Sequence, residues 1–231
     1  MHQSDLIFEK LREMILTLAL RPGEQLSERT LEAQLDGSRT PIRAALMRLE
    51  NEDLVQRDTR GWRVTPIDTG ELTLLSEYRE AIEVTGVRAA CERATDQDVA
   101  AVIVRLDRVR DICNAIEPAE QWRDQWHRAG TDFHIELARL SGNPFIVKSI
   151  ERVMTRLARV RWLEVSTPAR REQSWQEHKA IVTLIQARRA DDAAQAASRH
   201  IRDTHDRLLR SLREDRQYLR AQGLAVDDTL R

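Results

Sequence analysis

Little in this 231-residue chain can cross-link or punctuate it. The only two cysteines, Cys91 and Cys113, lie inside helical patterns without metal-type spacing. That excludes a disulfide scaffold and a cysteine metal cluster, and leaves both as small core or surface residues. Glycine (8) and proline (6) are scarce while 32% of residues are charged, and apolar residues recur at helical spacing over long runs, so a mostly helical protein with few strands is expected. No apolar run approaches the roughly 18 residues of a membrane helix, and no charged-then-apolar leader is seen; the expectation is a cytoplasmic protein with no membrane partner. Net charge is also lacking. At −1 it excludes a protein that coats DNA without regard to sequence, so any nucleic-acid contact must be local. The length and a hydrophobic content of 41% allow two domains, each with its own core.

What the chain does have is concentrated in residues 38–49. Pro41, with Thr40 before it as N-cap, marks a helix start. Ile42, Ala45, Leu46 and Leu49 form one buried stripe, which leaves Arg39, Arg43 and the Thr40 hydroxyl at the exposed N-terminal end. Arginine forks match the paired acceptors of guanine in the major groove, and hydroxyls and helix-start amides take phosphate oxygens. A solvated, charged helix start is the alternative for these residues alone. Upstream, Asp5 to Leu20 reads as an amphipathic helix carrying Leu6, Ile7, Leu11, Met14, Ile15 and Leu18 on one face, ended by Arg21-Pro22-Gly23. Ser27 then caps a short helix from Glu28 to Leu35, and Asp36-Gly37 is a turn, so the three helices make a helix-turn-helix. Downstream, Leu54 to Arg57 and Trp62 to Thr65 flank Asp58-Thr59-Arg60-Gly61 as a hairpin. Gly61 permits a positive φ at its tip, and Arg60 beside it is placed to reach a phosphate or the minor groove, unless the hairpin is an ordinary one. Between Ser38 and Arg63, Arg39, Arg43, Arg48, Arg57, Arg60 and Arg63 outnumber Glu50, Glu52, Asp53 and Asp58. Pro66 and Gly70 bracket a linker.

From Asp68 onward the pattern is helical throughout. Asp68 with Glu71 is a capping box that opens a helix to about Arg93, and Thr95 with Asp98 opens a second, stopped before Pro118. Further helices are expected from about Ala119 to Leu140, Phe145 to Glu164, Arg171 to Ala187 and Asp191 to Leu219, with a loose tail from Gln222. Six antiparallel helices make a bundle. Arg152, Arg156, Arg159 and Arg161 read as a solvated or dimer-facing helix edge. His134, His178 and His200 each fall among apolar neighbours on a different helix and look inward. A single inward histidine is usually a hydrogen-bonded core residue, but three on facing helices can converge on a divalent metal that holds an anion in an open position.

The run Leu11-Arg12, Arg21-Pro22-Gly23-Glu24-Gln25-Leu26-Ser27-Glu28, Ser38-Arg39-Thr40-Pro41-Ile42-Arg43, Leu46, Leu49, Leu54-Val55, Arg60-Gly61-Trp62-Arg63-Val64 resembles the winged helix-turn-helix of the GntR family of bacterial transcription regulators across residues 5–67. The resemblance implies DNA contacts by Arg29, Ser38, Arg39, Thr40, Arg43 and Gly61. Ala44 stands where Glu is usual, Gly37 where the turn usually carries an apolar residue, and Asp53 where Gly is usual, which bears on turn rigidity. Phe133-His134, Leu137, Ser141-Gly142-Asn143-Pro144, Glu177-His178, Ile181, Ala190-Asp191, Ala194 and His200 resemble the FCD domain, the FadR-type ligand-binding bundle, over residues 70–215. That likeness implies a divalent metal, zinc or nickel-like, on His134, His178 and His200, with an aspartate four residues before the first of them. Here that position is Gly130. Asp132 is turned about 200° away on the helix, and His127 lies about two turns off. Water or an effector carboxylate fills the gap, or the site binds its effector without metal. Arg79 matches a position that often faces the effector, although a pair with Glu83 one turn on is an equal reading.

The expected architecture is therefore mainly α: a winged helix-turn-helix DNA-binding domain over residues 1–67 and an antiparallel all-α effector-binding and dimerisation domain over 68–231. The function implied is a homodimeric regulator, a repressor, reading a palindromic operator under the control of a small carboxylate effector bound at Arg79, His134, His178 and His200. An alternative, a helical metal-dependent phosphohydrolase, draws on His134, His178 and the His205-Asp206 dipeptide. His205 lies five residues past His200, so the two do not face one metal in a straight helix.

Overall fold

The computed structural model describes the backbone of residues 2–59, 61–115, 120–161, 167–214 and 226–227, and the side chains of these except 112–115, 120–129 and 226–227. It divides into two compact units, residues 1–72 with 212–231 and residues 73–211.

In the first unit, α1 (Gln3–Leu16), α2 (Glu28–Leu35) and α3 (Arg39–Asn51) pack with a three-stranded antiparallel sheet of β1 (Gln25–Leu26), β2 (Val55–Asp58) and β3 (Gly61–Val64) in the order β1-β3-β2. Leu11, Ile15, Ile42, Ala45, Leu46, Leu49 and Leu54 have no exposed surface and form the centre of the core, with Trp62 and Val64 from the sheet closing it. Burying each such large aliphatic side chain contributes roughly 1.5–3 kcal/mol. α1 stops four residues before the expected Leu20. Thr17 caps it with a hydroxyl bond to the Glu13 carbonyl at 2.8 Å, Leu18 turns left-handed at φ 62°, and the Leu20 amide bends back to the Met14 carbonyl at 2.9 Å. Leu20 is buried all the same, from a loop. α3 starts one residue before Thr40, with Ser38 as its N-cap, so Pro41 is the third helical residue; the missing N–H costs nothing there because first-turn amides have no intrahelical partner. In the turn before it, Asp36 is left-handed and a Cβ at Gly37 would lie 2.6 Å from Ile7 Cδ1, so the absence of a side chain lets α1 close over the turn. The wing has the register Val55↔Val64 to Asp58↔Gly61, with Gly61 at φ +114°. Asp53, at the position where glycine is usual, adopts the left-handed φ of 57° that glycine would supply.

Two features of this unit depart from the expectations. Residues 67–68 are a strand, β4 (Ile67–Asp68), not a linker, and the helix after it already contains Gly70. β4 pairs in parallel with β5 (Val226–Asp227), so the segment expected to be loose from Gln222 contributes a strand.

The second unit is built on α4 (Thr69–Arg93), α5 (Asp96–Ala115), α6 (Glu120–Leu140), α7 (Pro144–Arg161), α8 (Pro168–Gln186) and α9 (Ala190–Glu214), the first and last of which begin or end in the other unit. Asp68 Oδ1 accepts from the Gly70 and Glu71 amides, and Thr95 Oγ1 from the Asp98 amide at 3.1 Å, the helix starts that the capping patterns announce. Asn143 Oδ1 does the same for α7 at the Phe145 amide, after Gly142 turns the chain at φ +65°. α8 opens earlier than expected, at Pro168, because Thr167 caps it through the Arg170 amide. The expected ends of α7 at Glu164 and α9 at Leu219 fall outside the described residues. Val87, Ala90, Val99, Val102, Phe133, Leu137, Ile181, Ile185, Ala193 and Ala197 form one core drawn from α4, α5, α6, α8 and α9. Cys91 is buried there as a free thiol, while Cys113 lies outside the described side chains. The arginine run on α7 is not a solvated edge: Arg152 is exposed and Arg156 half-buried, but Arg159 and Arg161 are each 5% exposed. Among the described residues no helix is long and apolar enough to cross a membrane.

Candidate functional site

Among the described residues, two places gather chemistry. The first is the exposed N-terminal end of α3. Because Ile42, Ala45, Leu46 and Leu49 are pulled into the core, the opposite face presents Ser38, Arg39, Thr40, Arg43, Ala44 and Met47, with Arg29 exposed on α2. Arg39 and Arg43 keep about two thirds of their side-chain surface in water, and each is steadied by an acid of α2: Arg39 Nε donates to Glu32 at 3.1 Å and Arg43 Nε to both oxygens of Glu28 at 2.9 Å. The Glu28 bond raises the already high pKa of Arg43. Exposed pairs of this kind are weak and screened by solvent, so they orient the guanidiniums without locking them away from a phosphate or a base. Gly61 is exposed at the wing tip, and Arg57 on β2 lies over the Trp62 ring at 4.4 Å; Arg60 lies outside the described residues. Met47, 52% exposed, is the surface residue of this face that the sequence alone did not single out; its signal was that it falls off the buried stripe.

The second place is buried in the helical unit. α6 carries His134, α8 His178 and α9 His200, and one nitrogen from each ring lies within 4.8 Å of the others. None is more than 3% exposed. His178 stacks on Phe133 at 4.1 Å and meets His200 Nε2 to Nε2 at 3.2 Å. Arg79 and Glu83 of α4 join them: Arg79 Nε donates to Glu83 at 2.6 Å, while Arg79 Nη2 lies 2.8 Å from His134 Nε2 and His134 Nδ1 lies 2.9 Å from the other Glu83 oxygen. Arg79 makes the pair with Glu83 and also faces a histidine. A guanidinium only donates, so His134 Nε2 accepts and the ring proton sits on Nδ1, directed at Glu83. On the far side His200 Nδ1 meets Glu177 at 2.6 Å, and Arg207 holds the same carboxylate at 3.1 Å. Burial drives Glu177 up, but the hydrogen bond and charge of His200, with Arg207, bring its pKa down to about 2. Burial, with the charges of Arg79, Arg161 and His200, pushes His134 well below the usual imidazole value; burial and its histidine and arginine neighbours do the same to His178.

Three imidazoles, two of them braced by carboxylates, are a donor set that suits a divalent ion. The fourth position does not suit it. Gly130 offers no ligand, Asp132 is exposed as expected, and His127 lies outside the described side chains. The space beside Gly130 is taken by Arg161, whose Nη2 would lie 3.3 Å from a Cβ at that position and whose Nη1 lies 3.7 Å from Met154 sulfur. The imidazole spacing therefore fits a metal; the missing fourth ligand and the Arg161 guanidinium beside its position do not. The sequence signal for Arg161 was its place on the α7 stripe Ile150, Met154, Leu157, Arg161, all buried. Glu177 and Arg207 gave none beyond their closeness to His178 and His200. His205 and Asp206 do not join the cluster, His205 Nε2 lying 3.3 Å from the Thr73 hydroxyl and Asp206 being exposed.

Comparison with known proteins bears on both places. Residues 3–64 match the model of bacterial regulatory proteins of the gntR family, and residues 74–203 match the FCD domain. The chain is 32% identical to the Nta operon transcriptional regulator of Aminobacter aminovorans, over 87% of this chain and 91% of that protein. It is 26% identical to the HTH-type transcriptional repressor RspR of Escherichia coli K12, over 91% and 89% of the two chains. Among solved structures, E. coli McbR/YncC shares the fold at a TM-score of 0.72 and 19% identity, covering 94% of this chain and 99% of its own. These relatives regulate transcription and are not enzymes, which removes the phosphohydrolase alternative. Helix-turn-helix, wing and helical bundle together make this chain a member of the GntR family with an FCD domain, a DNA-binding regulator of transcription.

Proposed function

We propose that the chain is a cytoplasmic, homodimeric repressor whose hold on a palindromic operator is set by a small carboxylate bound in the helical unit. Residues 1–67 act as the reader: Arg39 and Arg43 enter the major groove from the start of α3, Arg29, Ser38 and Thr40 take phosphate oxygens, and Arg60 with Gly61 brings the wing to the neighbouring backbone. Residues 68–231 hold the effector and pair two copies, whose two-fold symmetry makes the operator's half-sites mirror each other. The repressor sense is supported by RspR, which carries that word in its name at 26% identity.

The effector part rests on one observation, a cluster of Arg79, His134, His178 and His200 sealed inside the second unit at 0–3% exposure. A buried guanidinium among imidazoles suits a carboxylate. His134, His178 and His200 are also spaced to hold a zinc or nickel-like ion, against which Arg161 stands beside the position of the fourth ligand. An effector coupling of about 1–3 kcal/mol changes operator affinity roughly 5- to 150-fold.

The test begins by selecting an operator from random duplexes with the full chain and measuring affinity by fluorescence anisotropy at fixed salt. Arg39→Ala weakens the selected operator by about 1–3 kcal/mol and relaxes preference at one base pair. An equal loss on every duplex makes Arg39 a phosphate contact, and no preference over random competitor sinks the reading. Small organic acids and sugar acids are then added, and an acid that changes operator affinity carries the effector part.

A further inference from the structure

Gly130 and Arg161 change what the histidine cluster is able to bind. In α6 the absence of a side chain at Gly130 leaves space that a guanidinium from α7 enters, with Arg161 Nη2 3.3 Å from where a Cβ would stand. The side chain belongs to the interior, being 5% exposed, and it grows from the buried stripe of α7. Gly130 lies one turn before His134 on α6, so the guanidinium enters on the same helix face as that ring. A dication set among the three imidazoles meets the guanidinium charge as repulsion. It also has to take His134 Nε2 from Arg79, which already donates to that lone pair at 2.8 Å. An anion meets the opposite situation. It is attracted by Arg161 and by Arg79, whose charge Glu83 partly offsets, and it finds N–H donors on them that turn toward an oxygen more readily than toward a ring nitrogen.

We propose that Arg79, Arg161, His134, His178 and His200 form a metal-independent anion site, in which Arg161 takes the place of a metal ion and its carboxylate ligand and binds the effector's carboxylate directly. The inference rests on the effector reading above and names how that effector is held. Gly130 is the enabling position, because a Cβ there would press on the guanidinium at 3.3 Å and a longer side chain would compete with it for space. Arg79 stays tied to Glu83 and supports the second oxygen, so the pair grips a carboxylate from two helices, α4 and α7.

The test uses the full chain, stripped with EDTA and dialysed, with acetate, succinate and gluconate as probes and with zinc and nickel salts added alone. Calorimetry and thermal shift are read on wild type, Arg161→Gln, Arg161→Lys, Gly130→Ala and Gly130→Asp/Arg161→Gln. Wild type is expected to bind at least one acid in EDTA and to take zinc or nickel only weakly. Arg161→Gln lowers the acid affinity at least tenfold, and Arg161→Lys restores part of it. Gly130→Ala, which crowds the guanidinium without removing it, lowers the affinity several-fold and keeps the reading independent of whether Arg161→Gln folds. Gly130→Asp/Arg161→Gln, with the carboxylate returned and the cation gone, gains at least a hundredfold in zinc affinity. Acid binding that requires an equivalent of zinc or nickel overturns the inference, as does unchanged acid affinity in both Arg161→Gln and Gly130→Ala. Should no acid bind with or without metal, the effector reading itself has failed; acid binding that ignores Arg161 spares that reading and removes only this one.

Discussion

The Arg79–Glu83 pair allows a prediction in which the single variant is worse than the double. Both side chains are almost fully buried, with Arg79 at 2% and Glu83 at 4% exposure, and they bond at 2.6 Å while Glu83 also takes the His134 Nδ1 proton. Replacing Arg79 by Met leaves the Glu83 carboxylate without its counter-charge in a low-dielectric interior, and breaking a buried pair in this way costs about 3–5 kcal/mol. Replacing both, as Arg79→Met/Glu83→Leu, removes the stranded charge along with the pair, and exchanging a whole ion pair for apolar groups is by itself near neutral. What remains is the His134 Nδ1–H, which loses its acceptor, at about 1–3 kcal/mol. The double variant should therefore be more stable than Arg79→Met by about 2 kcal/mol, although it carries one more substitution. Equilibrium urea unfolding of EDTA-treated protein, followed by circular dichroism, measures the difference. A double variant as destabilised as the two single variants added together would refute the reasoning, because it would mean that the two side chains contribute separately and that no charge is stranded.

Two further outcomes follow from backbone and charge. Gly61→Ala at the wing tip meets no atom within 4 Å, so its cost is conformational strain alone at φ +114°, about 1–3 kcal/mol, and operator affinity should fall with it; unchanged stability would show that the tip relaxes freely. His134 and His178 stay neutral in the folded chain while the unfolded chain takes up protons below about pH 6.5, so stability is present above that pH and is lost as pH falls toward the depressed folded values. Each withheld proton contributes about 1.4 kcal/mol per pH unit in that window, and His134→Gln should halve the combined slope in urea titrations run in EDTA; an unchanged slope means that the rings titrate normally.

The fold was legible wherever local chemistry decides an element's end. Ser27 as cap and left-handed Asp36 bound α2 at Glu28 and Leu35 as read, and Thr95 opens α5 as its spacing with Asp98 announces. It was not legible where tertiary packing overrides the pattern. Leu18 and Leu20 continue the apolar spacing of α1, yet the chain has already left the helix, and Leu20 reaches the core from a turn. β1 has two residues, too few for alternation to register, and its pairing partners lie 36 or more positions away on β3. In the candidate site the three histidines were visible as inward residues on separate helices, and they converge. Arg161 was misread because four arginines in ten residues look like a wet edge, and only the neighbour's missing side chain at Gly130 shows why one of them turns inside.

The pairing of Ile67–Asp68 with Val226–Asp227 has a practical meaning for anyone who wants the DNA reader by itself. Cutting after Leu72 would deliver the three helices and the wing but strip a strand from the same compact body, leaving a bare backbone edge of the sort that recruits other chains. An expression design that respects this pairing either keeps both ends of the polypeptide or replaces the lost strand with a short tether.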